Sequence, residues 1–251
     1  MKKQILSIAK FLSFFWLIVP FKIRKTLFTS FFILESRTSF PDKDLKKLFL
    51  IKDNLDWVIN ERALKYGQGI HPKHKLTNYH QFFIDRISDG MKVLDVGCGN
   101  GAVAIDIAKK LKKASIVGVD LNRNNIKMAK KLARNYKLDN INFIFGDINN
   151  HKKISADVVI LSNILEHISE RVSFLENIKK ISSAKKILIR VPNFQRDWQL
   201  ALRKELGIYY FSDIDHKIEH TIEEFKSELL EADLEILELI SIWGEIWANC
   251  K

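Results

Sequence analysis

After Gly90 the chain alternates short β-branched runs with amphipathic stretches, the pattern of a parallel sheet covered by helices on both faces. Strands are expected at Lys92–Val96, Ser115–Val119, Asn142–Phe145, Asp157–Leu161 and Lys186–Val191, and helices at about Ala102–Leu111, Arg123–Tyr136, Glu170–Ile181 and Thr221–Glu231. The tail, Leu234–Ile240 and then Gly244–Ala248, predicts two further strands joined by a short turn, an antiparallel hairpin that closes the sheet. The expected fold is therefore α/β, a doubly wound seven-stranded, mostly parallel sheet with a helical N-terminal extension. A helix is also expected at Tyr79–Ile87. Between Pro192 and His220 the alternation gives way to an aromatic, polar insertion with Trp198, Tyr209, Tyr210 and Phe211. An insertion after a late strand overhangs the carboxyl edge of such a sheet, where ligands bind, so 192–220 is the expected substrate lid.

Upstream of the alternation the pattern changes twice. Residues 41–88 read as a helical cap, in which Leu45, Leu48, Phe49, Leu55 and Val58 are spaced for one amphipathic face. Residues 1–40 form a basic, apolar extension. Its apolar run Phe11–Phe21 is flanked by Lys2, Lys3 and Lys10 on one side and by Lys22, Arg24 and Lys25 on the other. That run is about half of the roughly 20 residues a membrane span needs. It imitates a secretory signal but lacks a convincing small-x-small cleavage site. With the second cluster Phe28, Phe31, Phe32, Ile33 and Leu34, it suits a helix lying among lipid headgroups; packing on the domain or on a partner, and a true anchor, are the alternatives.

Charge sharpens this picture. The net charge is +11, and residues 1–80 carry 15 Lys and Arg against 6 Asp and Glu, whereas the rest carries 26 against 24. A basic arm beside a nearly neutral body suits phosphate-rich partners, anionic lipid or nucleic acid. The 251 residues suffice for one sizeable α/β domain and an appendage. The two cysteines, Cys98 and Cys250, have no companions at metal-ligand spacing, so neither a zinc site nor a disulfide framework is indicated. A reducing, cytoplasmic setting is expected, with peripheral attachment at the inner face of a membrane.

The candidate chemistry begins at Val93-Leu-Asp-Val-Gly-Cys-Gly-Asn-Gly101, which ends a strand and opens a helix. Gly97, Gly99 and Gly101 let the backbone turn sharply and lie close against a ligand. Gly97-x-Gly99-x-x-Ala102 also satisfies the looser dinucleotide fingerprint. Asp95, two residues before the first glycine, favours a cationic amino-acid group over a pyrophosphate, and no Tyr-x-x-x-Lys pair supplies dehydrogenase chemistry. Asp95-x-Gly97-x-Gly99-x-Gly101 resembles the first motif of class I S-adenosylmethionine-dependent methyltransferases. That resemblance implies S-adenosylmethionine as cofactor and covers roughly residues 60–251. It implies that Asp120, ending Val117-Gly-Val-Asp120, accepts the ribose hydroxyls. Asp147, in Gly146-Asp147-Ile148, would bond the adenine amino group, with Leu121 and Ile148 on either side of the ring. Asp157–His167 resembles the fourth-strand motif and places Asn163 with the cofactor.

Methyl transfer to a hydroxyl calls for positioning and a base. His167, beside Glu166, and His216, at the end of the lid near Asp213 and Asp215, are the catalytic candidates, and either residue could instead only brace its loop. No metal site is expected. Tyr66–His74, Val191-Pro-Asn-Phe194 and the lid resemble methyltransferases of surface-glycan or lipid-linked sugar pathways. The fourth-strand motif lacks Asn/Asp-Pro-Pro-Tyr, so an oxygen nucleophile is preferred and nucleic acid is the less favoured partner. The acceptor implied is a sugar hydroxyl or polar lipid-linked molecule. Alternatives are a small quinone-like hydroxyl compound and a non-catalytic membrane-bound scaffold with the same fold.

Overall fold

The computed structural model describes residues 2–67, 71–151 and 153–251, leaving aside the side chains of residues 2–7 and 10. Its seven described strands form one sheet. They are β1 (Lys92–Val96), β2 (Ser115–Asp120), β3 (Ile141–Phe145), β4 (Val158–Ser162), β5 (Lys186–Pro192), β6 (Ile236–Ile242) and β7 (Glu245–Cys250). The order is β3-β2-β1-β4-β5-β7-β6. β1 to β5 run parallel, and β7 lies antiparallel between β5 and β6. The expected hairpin therefore folds back so that its second strand, not its first, meets the parallel body.

Each central strand is buried on both sides because successive side chains enter opposite cores. Leu94, Val96, Val159, Leu161, Ile187 and Ile189 pack with α8 (Arg171–Ser182) and α10 (Ile222–Glu231) through Leu175, Ile178, Phe225 and Leu229. The alternate residues Val93, Ile116, Val158, Ile160 and Leu188 face α6 (Ala102–Lys110) and α7 (Arg123–Asn135) through Ala104, Ile107, Ile126 and Ala129. The chain reverses direction along the sheet between β1 and β4, the position at which open α/β sheets leave a crevice beyond their carboxyl ends.

The N-terminal third departs most from expectation. α1 (Lys2–Ile18), α2 (Phe21–Glu35) and α3 (Pro41–Tyr66) stand largely outside the two cores. α2 buries no residue, and α3 buries only Asp44 and Phe49. The apolar face expected through Leu55 and Val58 is thus not packed, as both are exposed. No described helix is long and apolar enough to cross a membrane. α4 (Lys73–Leu76) and α5 (Gln81–Ile84) are single turns. The helix expected over Tyr79–Ile87 is cut short because its first residues are committed elsewhere: the Tyr79 hydroxyl donates to Glu245 at 2.6 Å and His80 Nδ1 meets Asp106 at 2.7 Å. Beyond Ile84 the chain continues in turns closed by Arg86 N to Phe83 O and Ile87 N to Ile84 O. In the loop Tyr66–His74, residues 68–70 lie outside the described residues.

Candidate active site

A cavity of about 820 Å³ opens at the carboxyl ends of β1 to β4, a size suited to a cofactor-sized ligand. Its floor is the glycine loop after β1. Gly97 and Gly99 adopt left-handed φ values of +65° and +54°. A side chain on Gly97 would collide with Ile164, whereas one on Gly99 would meet nothing within 4 Å, so the space above Gly99 is open for a ligand. Gly101 caps α6 and backs onto Phe143, away from the cavity wall.

Asp120 ties this loop to the end of β2. Its Oδ2 accepts the Gly99 amide at 2.8 Å and its Oδ1 accepts the Asn122 amide at 2.7 Å. A carboxylate has about four acceptor sites, so capacity remains for a ligand's hydroxyls. Leu121, highly exposed, and Ile148, buried, flank the same wall. Asp147 lines it too, while capping the short turn Ile148–Asn150 through the Asn149 amide at 2.9 Å. Asn163 takes φ +58°, sparsely populated for a residue with a side chain, and its buried Oδ1 has no partner.

Asp95 sits differently from the expectation. It shares its side of the strand with Val93 and meets the backbone of Ala104 in α6, so it lies behind the loop and does not reach the cavity wall. Burial, and then the charge of Asp120, push its carboxyl up to about 7. Its Oδ2 is buried without a hydrogen-bond partner.

At the far edge of the cavity, β4 ends in the turn Leu165–His167. His167 lines the cavity, and its ring crosses that of His216 nearly at right angles, with centroids 4.6 Å apart. His216 is buried on the lid. Glu166, beneath them, is fully buried, with neither carboxylate oxygen hydrogen-bonded, and burial pushes it up to about 8. The insertion 192–220, expected as a lid, is pinned here, since Lys217 N donates to Glu166 O at 2.7 Å. Its stem is pinned by α9 (Trp198–Glu205), where Arg203 meets Asp53 of α3 at 2.7 and 2.8 Å. His220 is a bracing residue: its Nε2 meets Glu228 at 3.0 Å in the core. Sequence reasoning passed over Phe145, Arg123, Ile164 and Phe174 on the cavity wall. The Arg123 guanidinium lies 4.5 Å over the Phe145 ring. An aromatic residue ending β3 just before Gly146-Asp147 was the available signal.

Residues 87–238 match the family described as the methyltransferase domain. The chain belongs to this methyltransferase family. Among curated proteins it is 33% identical over 116 residues to the ribosomal protein L11 methyltransferase of Acetivibrio thermocellus, covering 45% of this chain and 36% of that protein. It is 31% identical over 143 residues to the protein of the same name from Thermotoga maritima, covering 57% and 51%. The chain thus spans between about a third and about half of the length of these relatives. Magnesium protoporphyrin IX methyltransferase from Synechocystis PCC 6803, solved with bound S-adenosylhomocysteine, shares the fold at a TM-score of 0.57 and 16% identity, over 75% of this chain and 85% of that one.

S-adenosylmethionine is the cofactor of this methyltransferase family, and the cavity's own features fit it. The open cradle over Gly99, the unpartnered Asn163 oxygen and the spare acceptor capacity of Asp120 are what a nucleoside carrying hydroxyl and amino groups requires. Asp120 would hold the ribose, and Asp147, Leu121 and Ile148 the adenine.

Proposed function

We propose that this chain methylates an oxygen, that of a sugar hydroxyl or a polar lipid-linked acceptor, while resting on an anionic membrane surface. The observation that carries the reading is the pairing of the cofactor cavity with the polar group Glu166, His167 and His216 at its edge, where Asp215 of the insertion 192–220 also lines the cavity. S-adenosylmethionine, when bound, supplies a methyl group on a sulfonium, whose departure needs no acid. The protein's task is then to hold the acceptor oxygen in line with that methyl carbon and to deal with the hydroxyl proton. His167, on the cavity wall, and His216, against it, are the groups assigned to that hydroxyl. Support for the membrane comes from Phe11, Phe14, Ile18, Phe21 and Leu34, each 70–74% exposed and interspersed with Lys22, Arg24 and Lys25. A second reading, a small quinone-like hydroxyl acceptor, is favoured by Trp198, Tyr209 and Ile214, exposed apolar groups on the lid.

The test is calorimetric titration with S-adenosylmethionine and S-adenosylhomocysteine, with NADH as control, followed by a screen of glycan, lipid-linked and quinol acceptors for S-adenosylhomocysteine release. Both sulfur compounds are expected to bind, and Asp120→Ala to weaken them by about tenfold or more, as loss of a charged hydrogen-bond acceptor does. Failure of both to bind would bring the scaffold reading forward, and turnover with amines alone would overturn the oxygen acceptor.

A further inference from the structure

We propose that Glu166, His167 and His216 bind a divalent first-row transition-metal ion at the edge of the cofactor cavity. Each offers one ligand atom, and the three atoms lie within 4.8 Å of one another. Two of the residues sit on the turn after β4 and the third arrives on the lid, brought in by the bond from Lys217 N to the Glu166 carbonyl.

Glu166 supplies the independent sign of a missing partner. Its side chain is fully buried, and neither oxygen has a hydrogen-bond donor. A carboxylate removed from water keeps its charge only beside a cation or a set of donors. Arg190 acts on it electrostatically but does not bond it, and the guanidinium instead lies 4.3 Å over the Tyr79 ring. The imidazoles show the matching feature. Nδ1 of His167 and of His216 is buried without a hydrogen bond, yet each has a carboxylate beside it, Asp215 at 3.2 Å and Glu219 at 3.5 Å. Carboxylates placed behind imidazoles orient ligating histidines and raise their basicity.

The donor set selects the ion. Two imidazoles and one carboxylate suit Zn²⁺, Fe²⁺, Co²⁺ or Mn²⁺ rather than the all-oxygen shells of Ca²⁺ and Mg²⁺. Bonds of about 2.1 Å place tetrahedral ligand atoms about 3.4 Å apart. The cluster therefore has to draw in by roughly 1.5 Å at most, a movement the lid can supply. Three protein ligands leave coordination positions free, and His167 and Asp215 also line the cavity. An ion there would take water or the oxygen of an entering acceptor, and His167 and His216 would then act on the acceptor hydroxyl through the ion and not as free bases. That role rests on the methyl-transfer reading; binding of the ion does not.

The test uses full-length protein stripped with chelator and titrated with Co²⁺, followed by visible absorption, with S-adenosylhomocysteine binding measured alongside. One equivalent of Co²⁺ is expected to give a saturable band, weakened about tenfold or more in both Glu166→Gln and His216→Asn while both variants still bind S-adenosylhomocysteine. Loading should also slow amide exchange across 192–220, since His216 ties the lid to the turn. Wild-type protein that binds S-adenosylhomocysteine but gives no stoichiometric band overturns the proposal, as does undiminished Co²⁺ affinity in the variants. His216→Asn, on the lid, carries the test should Glu166→Gln fail to fold. Co²⁺ binding without S-adenosylhomocysteine binding would leave the metal site standing and remove the methyl-transfer reading.

Discussion

The three loop glycines are required for different reasons. At Gly97 an added Cβ would stand 2.0 Å from Ile164 Cδ1 at a φ of +65°, so both space and backbone exclude a side chain. Gly97→Ala is expected to cost about 2–4 kcal/mol in urea unfolding. In an Ile164→Val background, which removes that Cδ1, the cost should fall by about 1 kcal/mol. An identical cost in both backgrounds would assign the whole effect to the backbone. Ile164, just beyond the carboxyl end of the neighbouring strand β4, thus shapes the loop, which no pattern within residues 93–101 reveals. Asp95 shows the same divide. Its place in the motif was legible, but which way the strand's alternation turned it, toward α6 and not the cavity, depends on the register of β1 between β2 and β4.

Among the elements, the join between α8 and α10 makes the clearest pH prediction. Arg171 pairs with Glu228 at 2.7 Å, and His220 Nε2 meets the same carboxylate at 3.0 Å. Burial alone would raise Glu228, but the hydrogen bonds and charges of His220 and Arg171 outweigh it and hold the carboxyl at about 2. A depressed carboxyl contributes its stability above the unfolded-state value of 4.5 and loses it as pH falls toward 2. Glu228 should therefore account for about 2 kcal/mol of the stability that wild type loses across that interval once solvent screening is allowed for. Glu228→Gln should lower stability at neutral pH and flatten this part of the profile in denaturant titrations from pH 5 to 2. An equal slope in wild type and variant would sink the assignment. α10 itself was legible within a residue, because Thr221 and Glu224 form a capping box at its start. The helix expected at Tyr79–Ile87 was not, since its propensity yields to bonds with Glu245 and Asp106, from segments distant in sequence.

For the molecule as a whole, the exposed helices before residue 67 set the third prediction. Trp16 and Phe28 pack edge to face at 5.8 Å, so α1 folds back on α2, yet most of the aromatic side chains on both helices stay exposed. Co-sedimentation with vesicles containing anionic lipid should be strong for wild type. It should fall about tenfold or more in Phe14→Asp with Phe21→Asp, while S-adenosylhomocysteine affinity is unchanged. Binding that survives these charges, or that is equal on neutral vesicles, would overturn the membrane assignment.

Hydrophobic alternation, glycine spacing and strand-end carboxylates belong to stretches of ten residues or fewer, and from them the sequence alone determined the α/β architecture, the cofactor loop and the acidic residues at the ends of β2 and β3. The insertion 192–220 was legible as a segment apart from the α/β alternation for the same reason, as a break in a local pattern. Meeting points between distant segments were left to the tertiary structure. It put β7 between β5 and β6, left the apolar faces of α2 and α3 largely without a core to enter, and carried His216 across the lid to Glu166 and His167. Periodicity specifies which side chains seek burial, but which groups meet there depends on how the elements pack.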